Sequence, residues 1–242
     1  MLTDYHCHIL PKMDDGSESV EMSIKMLEMM KLQGVDRIIA TPHFYAHRER
    51  SVERFLERRR KCCESLMLKG PLITNILLGA EIAVEKDISD LDNIERLAIQ
   101  GTKLILFELP YKAFSDWMIE EIENISSEHK LIPIIAHVHR YLPYYTKDDY
   151  EKVLKADAIF QVNAEAFGNF REFRFVKKLI KNEFPLVLGS DAHNVTDRKP
   201  DYDLIMKKSD RKIIENSNEI LEKSKRVISV SYTHLTLPTK LE

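Results

Sequence analysis

The chain has 242 residues, and its 44% hydrophobic and 31% charged content is typical of an ordinary globular protein. A formal net charge of -3 gives no electrostatic reason to expect nucleic acid as the main partner. Because no apolar run approaches the ~20 residues that span a bilayer, membrane insertion is not expected either.

Seven short runs of β-branched and apolar residues recur along the chain and predict β-strands. In chain order, the predicted strands are residues 5–9, 37–41, 75–78, 103–107, 132–136, 158–162 and 186–189. Longer charged segments with helical periodicity separate them. Apolar strands that alternate with helices indicate a parallel sheet covered on both faces. The alternation alone does not distinguish a closed barrel from an open doubly wound sheet.

The segment after the first predicted strand is typical of the helices. Val20, Ile24, Leu27 and Met30 recur at helical spacing and predict one buried face. Gly34 follows where the glycine that ends a helix is expected. A helix over the twenties and early thirties is therefore predicted, with the second strand directly after it.

Histidine and carboxylate residues gather at the carboxyl ends of the predicted strands. His6 and His8 are two residues apart on the first strand, so they point to the same side of the pleat. The other members of this group are Asp14, Asp15, His43, Glu81, Glu108, His137, Asp191 and His193. In an α/β barrel the carboxyl ends of the strands converge on one face, whereas an open sheet spreads them along a line. The group therefore favours a barrel.

These residues supply nitrogen and oxygen donors and require no thiolate, which suits manganese, zinc or iron(II) better than calcium or magnesium. Because the donors exceed what one ion needs, they predict a cluster of two or three divalent metal ions. Taken singly they are ambiguous, since a His-x-His pair is often structural and an Asp-Asp-Gly run is an ordinary turn. Taken together, they are hard to explain without a metal, because burying so many polar and charged groups without a partner would cost free energy.

The motifs, in their order, resemble those of the PHP-domain protein-tyrosine phosphatases found in bacterial capsule and exopolysaccharide loci. The resemblance extends over about residues 1–225. It is carried by DYHCHILPKMDDG at 4–16, IIATPH at 38–43, GAEI at 79–82, AHVHRY at 136–141, QVNA at 161–164 and SDAHN at 190–194. The resemblance implies a distorted TIM-like (β/α)7 barrel, the PHP fold, with a trinuclear site that is usually described with manganese.

The resemblance also implies a role for each site residue. The implied metal ligands are His6, His8, Asp15, His43, Glu81, Glu108, His137, Asp191 and His193. Arg140 and Arg198 match the arginines that bind phosphate in this family, and Asp191 is the candidate for orienting the attacking hydroxide. His139 departs from the family pattern, in which a glutamate is expected before the arginine.

The implied reaction is hydrolysis of phosphotyrosine by a metal-bound hydroxide, and the implied substrate is the tyrosine-rich tail of a bacterial tyrosine autokinase. A thiol-based tyrosine phosphatase needs Cys-x5-Arg, in which the arginine stabilises the thiolate and the phosphate. The residues six positions after Cys7, Cys62 and Cys63 are Met13, Leu68 and Lys69. The sequence therefore excludes the thiol mechanism.

Three alternatives remain at this stage. A PHP-type histidinol phosphatase would use the same metals on a small substrate, although the LPKMDDG segment at 10–16 argues against it. An amidohydrolase also begins with His-x-His on a barrel strand, but it normally has a metal-bridging lysine or fewer carboxylates. A catalytically inactive binding module would lack a ligand, and no ligand is missing.

The two ends of the chain and the cysteines give further expectations. Three cysteines that include an adjacent pair are a poor disulfide framework, which indicates a reducing compartment. The start shows no leader pattern, so we expect a cytoplasmic protein, with an oligomer left open. Residues 230–239 resemble a translated sequencing adapter. We therefore expect one PHP phosphoesterase domain over 1–229 and a non-native tail over 230–242.

Overall fold

The computed structural model describes residues 1–49, 51–208 and 211–225, so the predicted tail at 230–242 lies outside the described residues. The strands are β1 (Leu2–Cys7), β2 (Val35–Ala40), β3 (His43–Phe44), β4 (Ile76–Leu78), β5 (Glu81–Ala83), β6 (Leu104–Glu108), β7 (Ile132–Ile135), β8 (Ile159–Asn163) and β9 (Leu186–Gly189). The helices are α1 (Val20–Leu32), α2 (Val52–Met67), α3 (Trp117–His129), α4 (Lys147–Val153), α5 (Phe170–Lys181), α6 (Tyr202–Lys208) and α7 (Arg211–Lys223). The predicted α/β class is confirmed.

Helix α1 forms where its periodicity predicts. The Ser19 side chain accepts a hydrogen bond from the Met22 amide and so satisfies one of the free donors at the helix start. Of the predicted face, Leu27 and Met30 are buried and Val20 and Ile24 are half-buried, and Met26 is buried beside them. The helix ends before Gly34, whose φ of 84° is a conformation that glycine adopts at little cost. This turn leads directly into β2.

All paired strands are parallel, and they form two sheets in the orders β1-β2-β4 and β3-β5-β6-β7-β8-β9. Two of the predicted strands are each followed by a short additional strand, β3 after β2 and β5 after β4. The breaks fall at Pro42, which has no N–H to donate, and at Gly79. Hydrogen bonds continue through them, since the Gly79 amide donates to Ala40 O at 2.8 Å and the Glu81 amide to Pro42 O at 3.0 Å. Each broken pair therefore occupies one strand position.

The strands thus fill seven successive positions, and the first and last positions meet near their carboxyl ends. Cys7 and Ala192 form a parallel bridge there. The His8 amide donates to Ala192 O at 3.0 Å, and the Asp191 amide donates to His6 O at 2.7 Å. The pairing is therefore divided into two sheets that join at this seam, rather than one continuous ring. The first strand also begins earlier than predicted, at Leu2, because its amino end pairs with β2.

The interior beneath the polar strand ends is apolar. Leu104 and Leu106 alternate with Glu108 on one face of β6, so the two leucines lie below the carboxylate. At the opposite end, Leu221 of α7 is fully buried, and the Tyr5 hydroxyl donates to Ser217 O at 2.5 Å. The apolar layer closed by α7 supports the polar residues at the carboxyl ends. None of the helices in the described ranges has the length and apolar content needed to cross a bilayer.

Candidate metal centre

The carboxyl ends of the strands bring all nine sequence-predicted ligands into one cluster. Eight of them fall into three overlapping groups whose donor atoms lie within 4.8 Å of one another. These groups are His8, Asp15, His43 and His193; His6, His8, Glu81 and Asp191; and His43, Glu81 and Glu108. The ninth, His137, contacts the third group, since its Nε2 lies 2.9 Å from Glu81 Oε1 and 3.6 Å from Glu108 Oε1. Metal binding by these residues stays a prediction.

Glu81 is the carboxylate that most of the histidines contact. Its Oε2 lies 3.1 Å from His6 Nε2, 3.2 Å from His8 Nε2 and 3.0 Å from His43 Nδ1. Its Oε1 lies 2.9 Å from His137 Nε2. The side chain is buried at the start of β5, immediately after the break at Gly79 and Ala80. The break therefore places one carboxylate among imidazoles from three different segments.

Asp191 connects the histidines to the two predicted phosphate-binding arginines. Its Oδ1 lies 3.4 Å from His6 Nε2 and 3.2 Å from His8 Nε2. Its Oδ2 accepts hydrogen bonds from Arg140 Nη1 and, at 2.9 Å, from Arg198 Nη2. One carboxylate thus faces the candidate metal centre with one oxygen and two guanidinium groups with the other.

Gln161 determines which nitrogen of His6 faces the centre. The Gln161 amide nitrogen donates to Asn163 Oδ1 at 2.7 Å, so its oxygen is directed towards His6 and accepts from the His137 amide at 2.6 Å. His6 Nδ1 lies 3.1 Å from that oxygen and must carry the proton. His6 Nε2 then presents a lone pair to Glu81 and Asp191. Outer contacts of this kind orient histidine ligands in metal sites.

Asp14 has the same effect on His8. Asp14 Oδ2 accepts from His8 Nδ1 at 2.7 Å and from the His43 amide at 2.9 Å. His193 Nδ1 likewise donates to Asp191 O at 2.9 Å. In both histidines the Nε2 atom remains directed towards the cluster. Asp14 and Gln161 lie within the sequence motifs, but the motifs do not indicate that these residues orient histidines. The available signal for Gln161 was a polar residue between the apolar residues Phe160 and Val162 of β8.

The charges of the cluster depend on one another. Burial would raise the pKa of Asp191, but His6, His8 and Arg140 hold it well below its usual range. Burial would lower the pKa of His8, but the Asp14 carboxylate raises it well above the usual value. Burial lowers the pKa of His137 to about 4, against the effect of Glu81. Burial and the neighbouring Glu81 raise the pKa of Glu108 to about 7. The centre therefore attracts cations, and protons and metal ions compete for its donor atoms.

Unsatisfied atoms provide an independent test of whether these residues fit metal ions. Glu81 Oε2, His43 Nδ1 and His193 Nε2 are buried and have no hydrogen-bond partner of acceptable geometry. Buried polar atoms in proteins normally have such a partner. The Nε2 atoms of His6 and His8 also approach to 3.1 Å while both face carboxylates. Imidazole and carboxylate donors arranged in this way fit divalent metal ions.

Two of the predicted site residues have left-handed backbone conformations. His137 has a φ of 29° and Asp191 a φ of 50°, and each stands just after a strand. Such conformations are uncommon outside glycine and are concentrated at functional sites. Asp191 is held by its amide bond to His6 O, and His137 by its amide bond to Gln161. The backbone thus turns both side chains towards the centre.

Replacing Gly189 with alanine is expected to weaken metal binding by at least about tenfold, the lower range for losing an outer contact to a ligand. A Cβ at this position would lie 2.5 Å from Gln161 Nε2 and 2.7 Å from His6 Cβ, so one of the two must move. Metal titration of the purified variant measures the effect. Gly168→Ala is the control, since its Cβ would approach no atom closer than 3.2 Å. Wild-type affinity in Gly189→Ala would contradict the positioning role of Gln161.

A groove of about 840 Å³ opens beside the centre and is lined by Glu81, Glu108, Arg140 and Arg198 among others. Tyr111, which no sequence motif indicates, also lines it. The Tyr111 ring stacks on His137, with centroids 5.9 Å apart, and its hydroxyl lies 3.3 Å from His137 Nδ1. The groove therefore joins the candidate metal centre to an aromatic wall and two guanidinium groups.

Behind Arg140 lies the residue that departs from the expected motif. Arg140 Nε donates to Glu165 Oε1 at 2.7 Å, and His139 Nε2 lies 3.6 Å from the same oxygen. His139 is fully buried. Glu165, from the turn after β8, therefore holds Arg140 from the side opposite Asp191.

The comparisons with known proteins agree with this arrangement. The family described as capsular polysaccharide synthesis, CpsB/CapC, matches residues 2–228. The tyrosine-protein phosphatase YwqE of Bacillus subtilis strain 168 is 30% identical over 209 residues, which are 81% of this chain and 79% of that protein.

Two solved structures share the fold. The first comes from the crystal structures of YwqE from Bacillus subtilis and CpsB from Streptococcus pneumoniae, described as unique metal-dependent tyrosine phosphatases. It has a TM-score of 0.74 and 24% identity over 93% of this chain and 96% of that chain. The second is histidinol phosphate phosphatase from Lactococcus lactis with zinc, L-histidinol and phosphate. It has a TM-score of 0.57 and 14% identity over 89% of this chain and 93% of that chain. Both likenesses establish the PHP fold.

Proposed function

The chain belongs to the CpsB/CapC family of capsular polysaccharide synthesis, and we propose from this and from the site that it is a metal-dependent protein-tyrosine phosphatase. The observation that carries the proposal is the position of Asp191, which contacts two imidazoles with one oxygen and two guanidinium groups with the other. A hydrolase for phosphate monoesters needs both parts at one place, a centre that activates water and cations that hold the phosphoryl group.

The predicted ligands would hold two or three divalent metal ions. Manganese is the proposed metal, with zinc or iron as alternatives. Such ions lower the pKa of water and neutralise phosphoryl oxygens when bound. Gln161 and Asp14 keep the proton of His6 and of His8 on Nδ1, so that Nε2 remains available to the centre. The chain thus prepares its ligands through contacts outside the metal coordination sphere.

The arginines supply the phosphate-binding part of the mechanism. Arg140 and Arg198 converge on Asp191 Oδ2 from different segments, and a guanidinium group can bind phosphate oxygens in a bidentate manner. Asp191 holds both arginines beside the centre and is our candidate for orienting the attacking water. Tyr111 is 42% exposed in the groove, where its ring can contact the ring of phosphotyrosine. No phosphoenzyme is required.

The proposed substrate is the phosphotyrosine-bearing tail of a tyrosine autokinase of capsule or exopolysaccharide synthesis, reached from the cytoplasm. The support for this is the family, whose description concerns capsular polysaccharide synthesis. The groove beside the centre has a volume of about 840 Å³, which has room for the side chain of phosphotyrosine and neighbouring peptide residues. We propose no nucleic-acid partner, and the number of subunits is left open.

Histidinol phosphatase is the second candidate, because the Lactococcus lactis enzyme shares the fold. Phosphate release from a tyrosine-phosphorylated peptide and from histidinol phosphate should be measured side by side, with manganese and with excess chelator. We expect manganese-dependent release from the peptide. A preference for histidinol phosphate would support the proposed metal centre but would show that the substrate is the small molecule and not the peptide. If neither substrate is hydrolysed by metal-loaded protein, the phosphatase proposal is wrong.

Removing two of the cysteines is expected to leave peptide hydrolysis within about twofold of wild type, as for most substitutions away from a functional site. Cys62 and Cys63 lie on α2, outside the groove, and burial raises the pKa of both thiols. The third thiol, Cys7, is fully buried beneath the seam between β1 and β9. Steady-state kinetics of the Cys62→Ala/Cys63→Ala variant provide the measurement. A large loss of activity, with unfolding unchanged, would support a thiol mechanism instead.

A further inference from the structure

We propose that Lys86, Lys112 and Trp117 form a subsite for an anionic side chain near the phosphotyrosine of a peptide substrate. The inference rests on the proposed function and adds the class of peptide that the site prefers. The three residues come from the segment after β5, the segment after β6 and the first turn of α3. All three line the groove that also contains Glu81 and Arg140.

Trp117 brings the two lysines together. The Lys112 ammonium lies 5.2 Å from the centroid of the Trp117 ring and the Lys86 ammonium 5.9 Å. Cations at this distance are attracted by the ring face, which holds two long side chains near one another. Trp117 itself is partly buried against the core. Two positive charges are therefore held at one place on the groove wall.

Neither ammonium group is neutralised by a carboxylate of the described residues. Within the described ranges, no ion pair or side-chain hydrogen bond is formed by Lys86 or by Lys112. Two carboxylates next to these residues in the chain pair elsewhere, Glu85 with His47 at 2.8 Å and Asp116 with Lys152 at 2.7 Å. Both lysines are exposed. The pair therefore presents its charge to the groove and to whatever lies in it.

The number of residues between each lysine and a predicted metal ligand limits how far the subsite can lie from the metal centre. Lys112 is four residues after Glu108, and Lys86 is five after Glu81. A chain extends by at most about 3.6 Å per residue. The Cα of Lys112 therefore lies within about 14 Å of the Cα of Glu108, and the Cα of Lys86 within about 18 Å of the Cα of Glu81. An extended peptide covers that distance in about four or five residues. The subsite can therefore contact residues within about four positions of the phosphotyrosine.

The group that this subsite binds is an anion on a side chain of the peptide substrate. A carboxylate satisfies the lysines, and a second phosphotyrosine satisfies them while offering a ring to Trp117. Exposed ion pairs each change an equilibrium by a factor of about 1.5 to 5. Two lysines acting on one anion should then give a preference of about threefold to tenfold, which falls as salt screens the charges.

Three phosphotyrosine peptides test the proposal with the manganese-loaded full chain. They differ at the positions within four residues of the phosphotyrosine, which carry glutamine, glutamate or one further phosphotyrosine. Values of kcat/KM are compared for the wild type, for Lys86→Glu/Lys112→Glu and for Lys86→Gln/Lys112→Gln. The control is Lys69→Glu/Lys155→Glu, which changes net charge equally at exposed lysines outside the described groove. Thermal unfolding confirms that each variant is folded.

We expect the wild type and the control to prefer the glutamate peptide over the glutamine peptide by about threefold to tenfold. The preference should disappear in the glutamine variant and reverse in the charge-reversal variant. A stronger preference for the second phosphotyrosine would identify it as the source of the anion. Equal hydrolysis of all three peptides by the wild type overturns the subsite alone. Hydrolysis of none of them overturns the subsite and the phosphatase proposal together.

Discussion

The Glu81→Gln variant is expected to lose at least about 100-fold in phosphatase activity, since losing even an outer contact to a metal ligand costs 10- to 100-fold. One carboxylate oxygen or the other of Glu81 lies within 3.2 Å of a ring nitrogen of His6, His8, His43 and His137. Glutamine keeps the volume but is neutral, and one of its two terminal atoms becomes a donor that cannot bind a cation. The loss should therefore appear in metal binding as well as in turnover.

Metal content and kcat/KM for a phosphotyrosine peptide measure the two effects on the same preparation. Glu57→Gln is the matched control, because Glu57 lies on the exposed side of α2, where it pairs with Arg60 and Lys61. We expect high manganese concentrations to restore part of the activity of Glu81→Gln by mass action. A variant that binds metal with wild-type affinity and turns over normally would exclude Glu81 from the centre.

Asp191→Asn is expected to lower kcat/KM at least about 100-fold, mainly through misplacement of the groups that stabilise the transition state. Asparagine tolerates the left-handed backbone that Asp191 adopts at a φ of 50°, so the main chain is preserved. The neutral amide no longer attracts the Arg140 and Arg198 guanidinium groups, which both bond Oδ2 in the wild type. Its one remaining oxygen can face either the two histidines or the two guanidinium groups, whereas the carboxylate of the wild type faces both.

Inhibition by inorganic phosphate distinguishes this variant from Glu81→Gln. Because the arginines lose their common anchor, we expect phosphate to inhibit Asp191→Asn more weakly than the wild type, at matched metal occupancy. Asp157→Asn, an exposed carboxylate before β8, is the control. Unchanged turnover in Asp191→Asn would show that Asp191 neither holds the arginines nor orients the water.

The prediction of the elements depended on local patterns. The helical spacing of Val20, Ile24, Leu27 and Met30 predicted α1, and the helix lies there. The short additional strands β3 and β5 were not predicted, although Pro42 and Gly79 stand at the breaks that precede them. Strand ends depend on which neighbour provides hydrogen bonds, and that neighbour is distant in the chain. For the same reason the first strand begins at Leu2, where it pairs with β2.

The contacts that prepare the ligands were harder to predict than the ligands. Asp14 and Asp15 are adjacent in one turn, and only the packing places Asp14 against His8 and the His43 amide. Gln161 acts on His6 across 155 positions of sequence separation. The pair of lysines at Trp117 likewise joins three separate segments. Local periodicity carries no information about such partners.

The sequence by itself determined the α/β class and the kinds of donor at the strand ends. The reason is that strand and helix periods are local and that parallel strands bring their carboxyl ends to one face. The tertiary structure alone decided how the strands are divided between two sheets, which nitrogen of each histidine faces the centre, and that Arg140 and Arg198 meet at one oxygen of Asp191. These depend on distances between residues far apart in the chain, which are set only when the seam between β1 and β9 brings the strand ends together.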